Sequence, residues 1–178
     1  MTTSMAAPAY RIGYHRWVSR NPALSFLAGA LLIGACGSPR ATAPPDAKLL
    51  CGTWEGEGTR ERWWIEGRDL RGEGHTQTDQ GELELSERLV LRHGKRGHVY
   101  IAQPGEAAPT SFSPIDPSAA RYPVQVPAAT LVWVWANYEH DFPQEIHYGL
   151  QGDQLEATVA GPGAGMGWKL ARIRPCDS

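Results

Sequence analysis

What this sequence lacks narrows it quickly. Its longest apolar stretch, "ALSFLAGALLIGA" at residues 23–35, has thirteen apolar or small residues. As a helix that rises only ~20 Å against a hydrocarbon core of ~30 Å, which excludes a good transmembrane anchor. After residue 50 no window carries a helical apolar stripe, so a helical domain is excluded. There are 17 basic residues against 19 acids. With no basic face to neutralise phosphates, a nucleic-acid partner is not expected. No Ser or Cys sits in a recognisable nucleophile context, and no zinc-type ligand spacing is present, so no metal is expected. There are only three cysteines, at positions 36, 51 and 176.

What is present begins with a front segment unlike the rest. Residues 1–22 contain Arg11, Arg16 and Arg20 and no acid. A basic stretch, then the short apolar run, then small residues form a secretory signal. Its end, "LIGAC", resembles the bacterial lipobox. The resemblance implies cleavage before Cys36 and diacylation of Cys36, and two acyl chains anchor durably where one does not. The other reading is an ordinary signal in which Cys36 is incidental. Gly37, rather than Asp, follows the cysteine. By resemblance to enterobacterial sorting this implies the outer membrane, with the body facing the periplasm. Expected divisions are a signal at 1–35, a flexible tether at 36–48 rich in Pro and small polar residues, and a domain at 49–178. Loss of three basic residues with the signal leaves 14 against 19, or −5. In an oxidising compartment the remaining Cys51 and Cys176 are expected to pair, the alternative being two free thiols. Such a bridge closes a loop of over a hundred residues and contributes up to ~4–5 kcal/mol in the chain-entropy description.

The rest reads as strand after strand. "ERWWIEG", "GELELSERLVLRHG", "GHVYIAQPG", "TLVWVWANY", "EIHYGLQG", "QLEATVAG" and "GWKLARIRP" alternate with period two, broken by Gly, Pro or Asp. In the second of these the alternation runs through Leu83, Leu85, Leu89 and Leu91. "GLQGDQLEA" reads as a tight hairpin. Residues 104–128 read as a long loop with one short strand at "TSFSPI". About eight to ten short strands predict an all-β, antiparallel up-and-down barrel. Closure of such a barrel brings Cys51 beside Cys176.

Gly52-Thr53-Trp54 at the start of the first strand resembles the lipocalin signature. The resemblance implies that Trp54 plugs the closed end and that an Arg of the last strand, Arg172 or Arg174, stacks on it. The segment "ANYEHDFPQEIHY", residues 136–148, concentrates acids and imidazoles. Its charged middle lies between two alternating runs and so reads as a turn. Asp141 is expected to accept backbone hydrogen bonds there, as Asx turns do, while Phe142 tucks under the barrel end and Pro143 holds it extended. Read chemically, His140 with Asp141 is a candidate acid–base pair at the rim.

Asn137, His140, Asp141, Phe142, Pro143, Gln144, Ile146, Tyr148, Gly152, Asp153, Leu155 and Ala157 together resemble the hallmark of a bacterial family with a lipocalin-like (calycin-like) domain of unknown function. With "GTWEGEG" and "PTSF" the resemblance spans most of residues 49–173. It implies a small β-barrel and supplies no known reaction; Asn137, Asp141, Phe142 and Pro143 are expected to be structural residues. "GTWEGEG" is also similar to nitrobindin-type barrels, which hold haem through a His near the C-terminal end. Here no His follows residue 147, leaving only His147 as a candidate.

Six of the seven tryptophans lie after residue 35. Trp63, Trp64, Tyr100, Trp133, Trp135, Tyr148 and His147 are the candidate lining of a ligand cavity. The expected function is a lipid-anchored envelope protein binding a small hydrophobic ligand, without a cofactor. The alternatives are a hydrolase- or isomerase-like enzyme using His140 and Asp141, a haem-binding barrel, and a purely structural lipoprotein.

Overall fold

A computed structural model describes residues 44–124 and 131–176. Cys36 and the expected signal lie outside them. A 3-10 turn at Ala47–Leu50 precedes ten strands: β1 (Gly52–Gly56), β2 (Thr59–Glu66), β3 (Asp69–Gln77), β4 (Leu83–Arg92), β5 (Val99–Pro104), β6 (Thr110–Ile115), β7 (Leu131–Ala136), β8 (Glu145–Gln151), β9 (Gln154–Gly161) and β10 (Ala164–Pro175). Every strand pairs antiparallel with its chain neighbour, and β1 pairs with β10, so the sheet closes into an up-and-down, lipocalin-like barrel. Tight turns make this possible. Between β1 and β2, Glu57 and Gly58 both have positive φ, 51° and 71°, the geometry whose twist matches that of paired strands.

Alternate residues of each strand point inward. Trp54, Trp63, Leu70, Leu91, Phe112, Tyr148 and Leu170 are buried together in a single core. At one end the barrel is closed. Trp54 is fully buried, and its indole N–H donates to the Leu50 carbonyl at 2.7 Å. The Arg172 guanidinium lies 3.9 Å from the Trp54 ring centroid. It also donates to the carbonyls of Cys51 at 2.6 Å and Leu49 at 3.1 Å. The register puts Arg172 opposite Trp54 and Arg174 opposite Thr53, across a bulge. Arg174 is exposed, so of the two candidate arginines only Arg172 takes the stacking role. Gly52, at φ 130°, has no room for a side chain, since a Cβ there would meet the Arg174 carbonyl oxygen at 2.6 Å.

Cys51 and Cys176 form a disulfide with Cα atoms 5.0 Å apart and 125 positions of chain between them. The folded body also includes part of the expected tether. Ala47 is fully buried, and the Pro45 carbonyl accepts the Trp133 indole N–H at 2.9 Å. The leucine alternation of β4 is broken by a bulge: Gly74 pairs with Glu87 and His75 with Leu85, leaving Ser86 as the extra residue. Leu85 therefore turns outward and is 41% exposed.

Candidate functional site

A cavity of about 340 Å³ lies inside the barrel at the end opposite Trp54. The strands carry its walls: Ala102 of β5, Phe112 of β6, Ile146 and Tyr148 of β8, Ala157 and Val159 of β9, Met166 and Trp168 of β10. Residues between strands form its rim, among them Ala107, His140, Phe142 and Pro143. The rim segment 137–144 is tied down by its own groups. Asn137 accepts the Glu139 N–H at 3.2 Å, and Asn137 and Gln144 bond through their backbones at 2.8 Å. The Gln144 amide donates to the His140 carbonyl at 3.0 Å. Phe142 reaches the cavity by packing on Gly161 of β9, where a Cβ would stand 2.7 Å from the ring.

Two carboxylates open onto this mainly apolar space. Glu61 is 7% exposed, and its Oε2 accepts from the Trp63 indole at 2.9 Å and the Tyr148 hydroxyl at 2.8 Å. Burial pushes its pKa up, with those two hydrogen bonds opposing. Glu87 is pushed up to about 7, first by burial and then by the charge of Glu61. The hydroxyls of Tyr100 and Tyr148 lie 3.2 Å apart. Burial, then the nearby carboxylates, holds both phenols well above their usual range. Below them the rings of Trp63, Tyr100, Trp135 and Tyr148 meet edge to face or tilted, with centroids 5.1 to 6.4 Å apart.

Of the aromatic residues expected to line the cavity, Tyr100 and Tyr148 do so. Trp63 is buried beneath Glu61, and Trp135 is packed deeper, its indole N–H donating to the His98 carbonyl at 2.8 Å. Trp133 belongs to the closed end through Pro45. Trp64 is on the outer face under Arg62, 5.5 Å from its ring. Trp63, Trp133 and Trp135 fill the core below the cavity, and Trp64 covers the outside of the barrel.

His147 is also off the cavity. It alternates with the inward Ile146 and Tyr148, so it points to the outer face, where it is nonetheless 1% exposed. Its ring bonds Glu145 at 2.8 Å. The Glu145 carboxylate also accepts from the backbone N–H groups of Arg121 and Tyr122 at 2.7 and 3.3 Å and from the Tyr138 hydroxyl at 2.7 Å. Burial alone would raise the Glu145 pKa, but these hydrogen bonds outweigh it and hold the carboxyl below its usual value. The pair fastens the segment after β6 across the outside of β8, and His147 does not reach the cavity.

His140 lines the rim, but its Nδ1 bonds the Pro143 carbonyl at 2.9 Å and its ring meets Phe112 with centroids 5.9 Å apart. Asp141 is exposed, and among the described residues its carboxylate makes no hydrogen bond. The locking role expected of it belongs instead to Asn137, His140 and Gln144, and no His140–Asp141 acid–base pair is formed. Among the described residues no group of three or more His, Cys, Asp or Glu is arranged to hold a metal ion.

The sequence reading missed Glu61, Glu87, Met166 and Trp168. The signal for the two acids was strand phase. Glu61 stands two before the inward Trp63, and Glu87 two before the inward Leu89. A charged residue in phase with an inward apolar face is the pattern that marks them. No protein-family model, curated protein or solved structure matches this chain.

Proposed function

We propose that this chain is a lipid-anchored protein of the bacterial envelope whose barrel binds a small, mainly apolar ligand. The cavity is the observation that carries the reading. It has the size and lining of a small-molecule site, with mostly apolar and aromatic walls and a few convergent polar groups. Anchoring is supported by the basic front segment, the short apolar run and "LIGAC" ending at Cys36.

Trp168 stands on the wall, so intrinsic fluorescence reports occupancy directly. Titration of the full chain with a panel of small apolar molecules is expected to shift its emission. Narrowing the cavity with Ala102→Phe is expected to weaken the responding ligands by about tenfold, from lost volume. No response across the panel, or responses indifferent to Ala102→Phe, would overturn the binding reading. Cells fed labelled palmitate are expected to label the wild-type chain and not a Cys36→Ala chain. An unlabelled wild type would remove the anchor.

A further inference from the structure

The cavity's charge is one-sided. Its lining contains Glu61 and Glu87 and no Lys or Arg. Both donors to Glu61 bond the same oxygen, Oε2, so Oε1 of this nearly buried side chain has no hydrogen-bond partner among the described residues. Glu87 makes no side-chain hydrogen bond or ion pair among them. Room has been made for it: at Gly74 of β3, opposite Glu87, a Cβ would meet the Glu87 Cγ at 2.7 Å. A carboxylate taken out of water is costly unless a cation or several donors meet it. Here the protein supplies two donors to one carboxylate, both at a single oxygen, and no cation to either.

We propose that the ligand of this cavity is an apolar molecule bearing a protonated amine, which Glu61 and Glu87 hold. The proposal rests on the binding reading and names its ligand class. An ammonium has three N–H donors and no acceptor, the complement of the free Glu61 Oε1 and the Glu87 carboxylate. The apolar body of the ligand then lies along Phe112, Ile146, Val159 and Trp168. The same charge disfavours an alkyl carboxylate, because like charges in a desolvated site repel.

The groups facing Glu87 are Glu61 from β2, Tyr100 from β5, Tyr148 from β8 and, at the rim, His140; β3 presents Gly74. None is a fixed cation. Glu87 gains its charge as pH rises through about 7, so capture of the amine strengthens from pH 6 to pH 8.

Three probes of one chain length separate the outcomes: octylamine, octanol and octanoate. They are titrated by calorimetry into the full chain in lipid nanodiscs at pH 8, with empty nanodiscs as the blank. Octylamine is expected to bind at least about tenfold more tightly than either of the others. Glu87→Gln, which breaks no hydrogen bond among the described residues, is expected to remove about tenfold of the amine's affinity while leaving octanol within about twofold. Glu61→Gln is expected to act in the same direction. Octanoate or octanol binding as well as the amine overturns the proposal and leaves the binding reading standing. An amine affinity unchanged in Glu87→Gln also overturns the proposal alone. If none of the three binds, the proposal falls, and the panel titration decides the binding reading separately.

Discussion

Glu87 sits where its charge is disfavoured, and that couples the empty barrel to pH. Its folded pKa of about 7 lies above the ordinary 4.5, so the proton favours the folded state. The associated stability is fully present below the unfolded value near 4.5 and is lost as pH rises through about 7. Glu61 is shifted in the same direction. Replacing Glu87 by Gln keeps the shape of the neutral acid and removes the titration. The variant is expected to exceed the wild type in stability by up to roughly 3 kcal/mol at pH 8 and by little at pH 5. Urea unfolding at the two pH values measures this as a difference between variants, in which the other titrating groups cancel. An equal difference at both would mean that Glu87 is ordinarily solvated. A site residue that weakens the protein it belongs to is commonly kept for what it binds.

The rim hairpin gives an element-scale contrast. Asn137 accepts the Glu139 N–H and donates to the Ser111 carbonyl at 3.1 Å, tying β6 to the turn, whereas Asp141 lies outside the bonding pattern. Asn137→Ala is expected to cost about 1–2 kcal/mol and Asp141→Ala less than about 0.5 kcal/mol, read from urea midpoints. A reversed order would mean that the turn is held by the carboxylate after all. Most elements were legible in the sequence because period-two alternation follows directly from the pleat. Two features were not. The bulge at Ser86 inverts the phase of Leu83 and Leu85, and nothing in "LELSERLVL" marks the slip. The outer face of β8 is buried because the irregular segment after β6 crosses it and hydrogen-bonds Glu145. Alternation told which residues of "EIHY" faced inward, but covering of the other side comes from a loop with no periodic pattern. Within the site, aromatic count points to tryptophans that pack or cover the barrel, while the two acids that distinguish the cavity are marked only by strand phase, a weaker signal.

At the scale of the molecule, the Cys51–Cys176 bridge ties the first strand to the last across 125 positions. Constraint of so long a loop in the unfolded chain is worth about 4–5 kcal/mol. A Cys51→Ala, Cys176→Ala chain is therefore expected to lose about that much stability, with the loss seen as a lower urea midpoint. A shift under about 1 kcal/mol would mean that the β1–β10 pairing restricts the ends without help from the bridge. That pairing has a separate consequence. Every strand of the described sheet has a neighbour on both sides, so no strand runs its whole length as a free edge, and the unpaired rows are confined to strand ends such as 83–86 of β4 and 164–170 of β10. A foreign strand therefore finds no full-length edge to add to, which disfavours both edge-to-edge aggregation of the folded barrel and capture of a peptide by strand addition. A protein that meets this barrel in its native state is left mainly side chains and loops to read, because no strand offers its backbone as a free edge along its length.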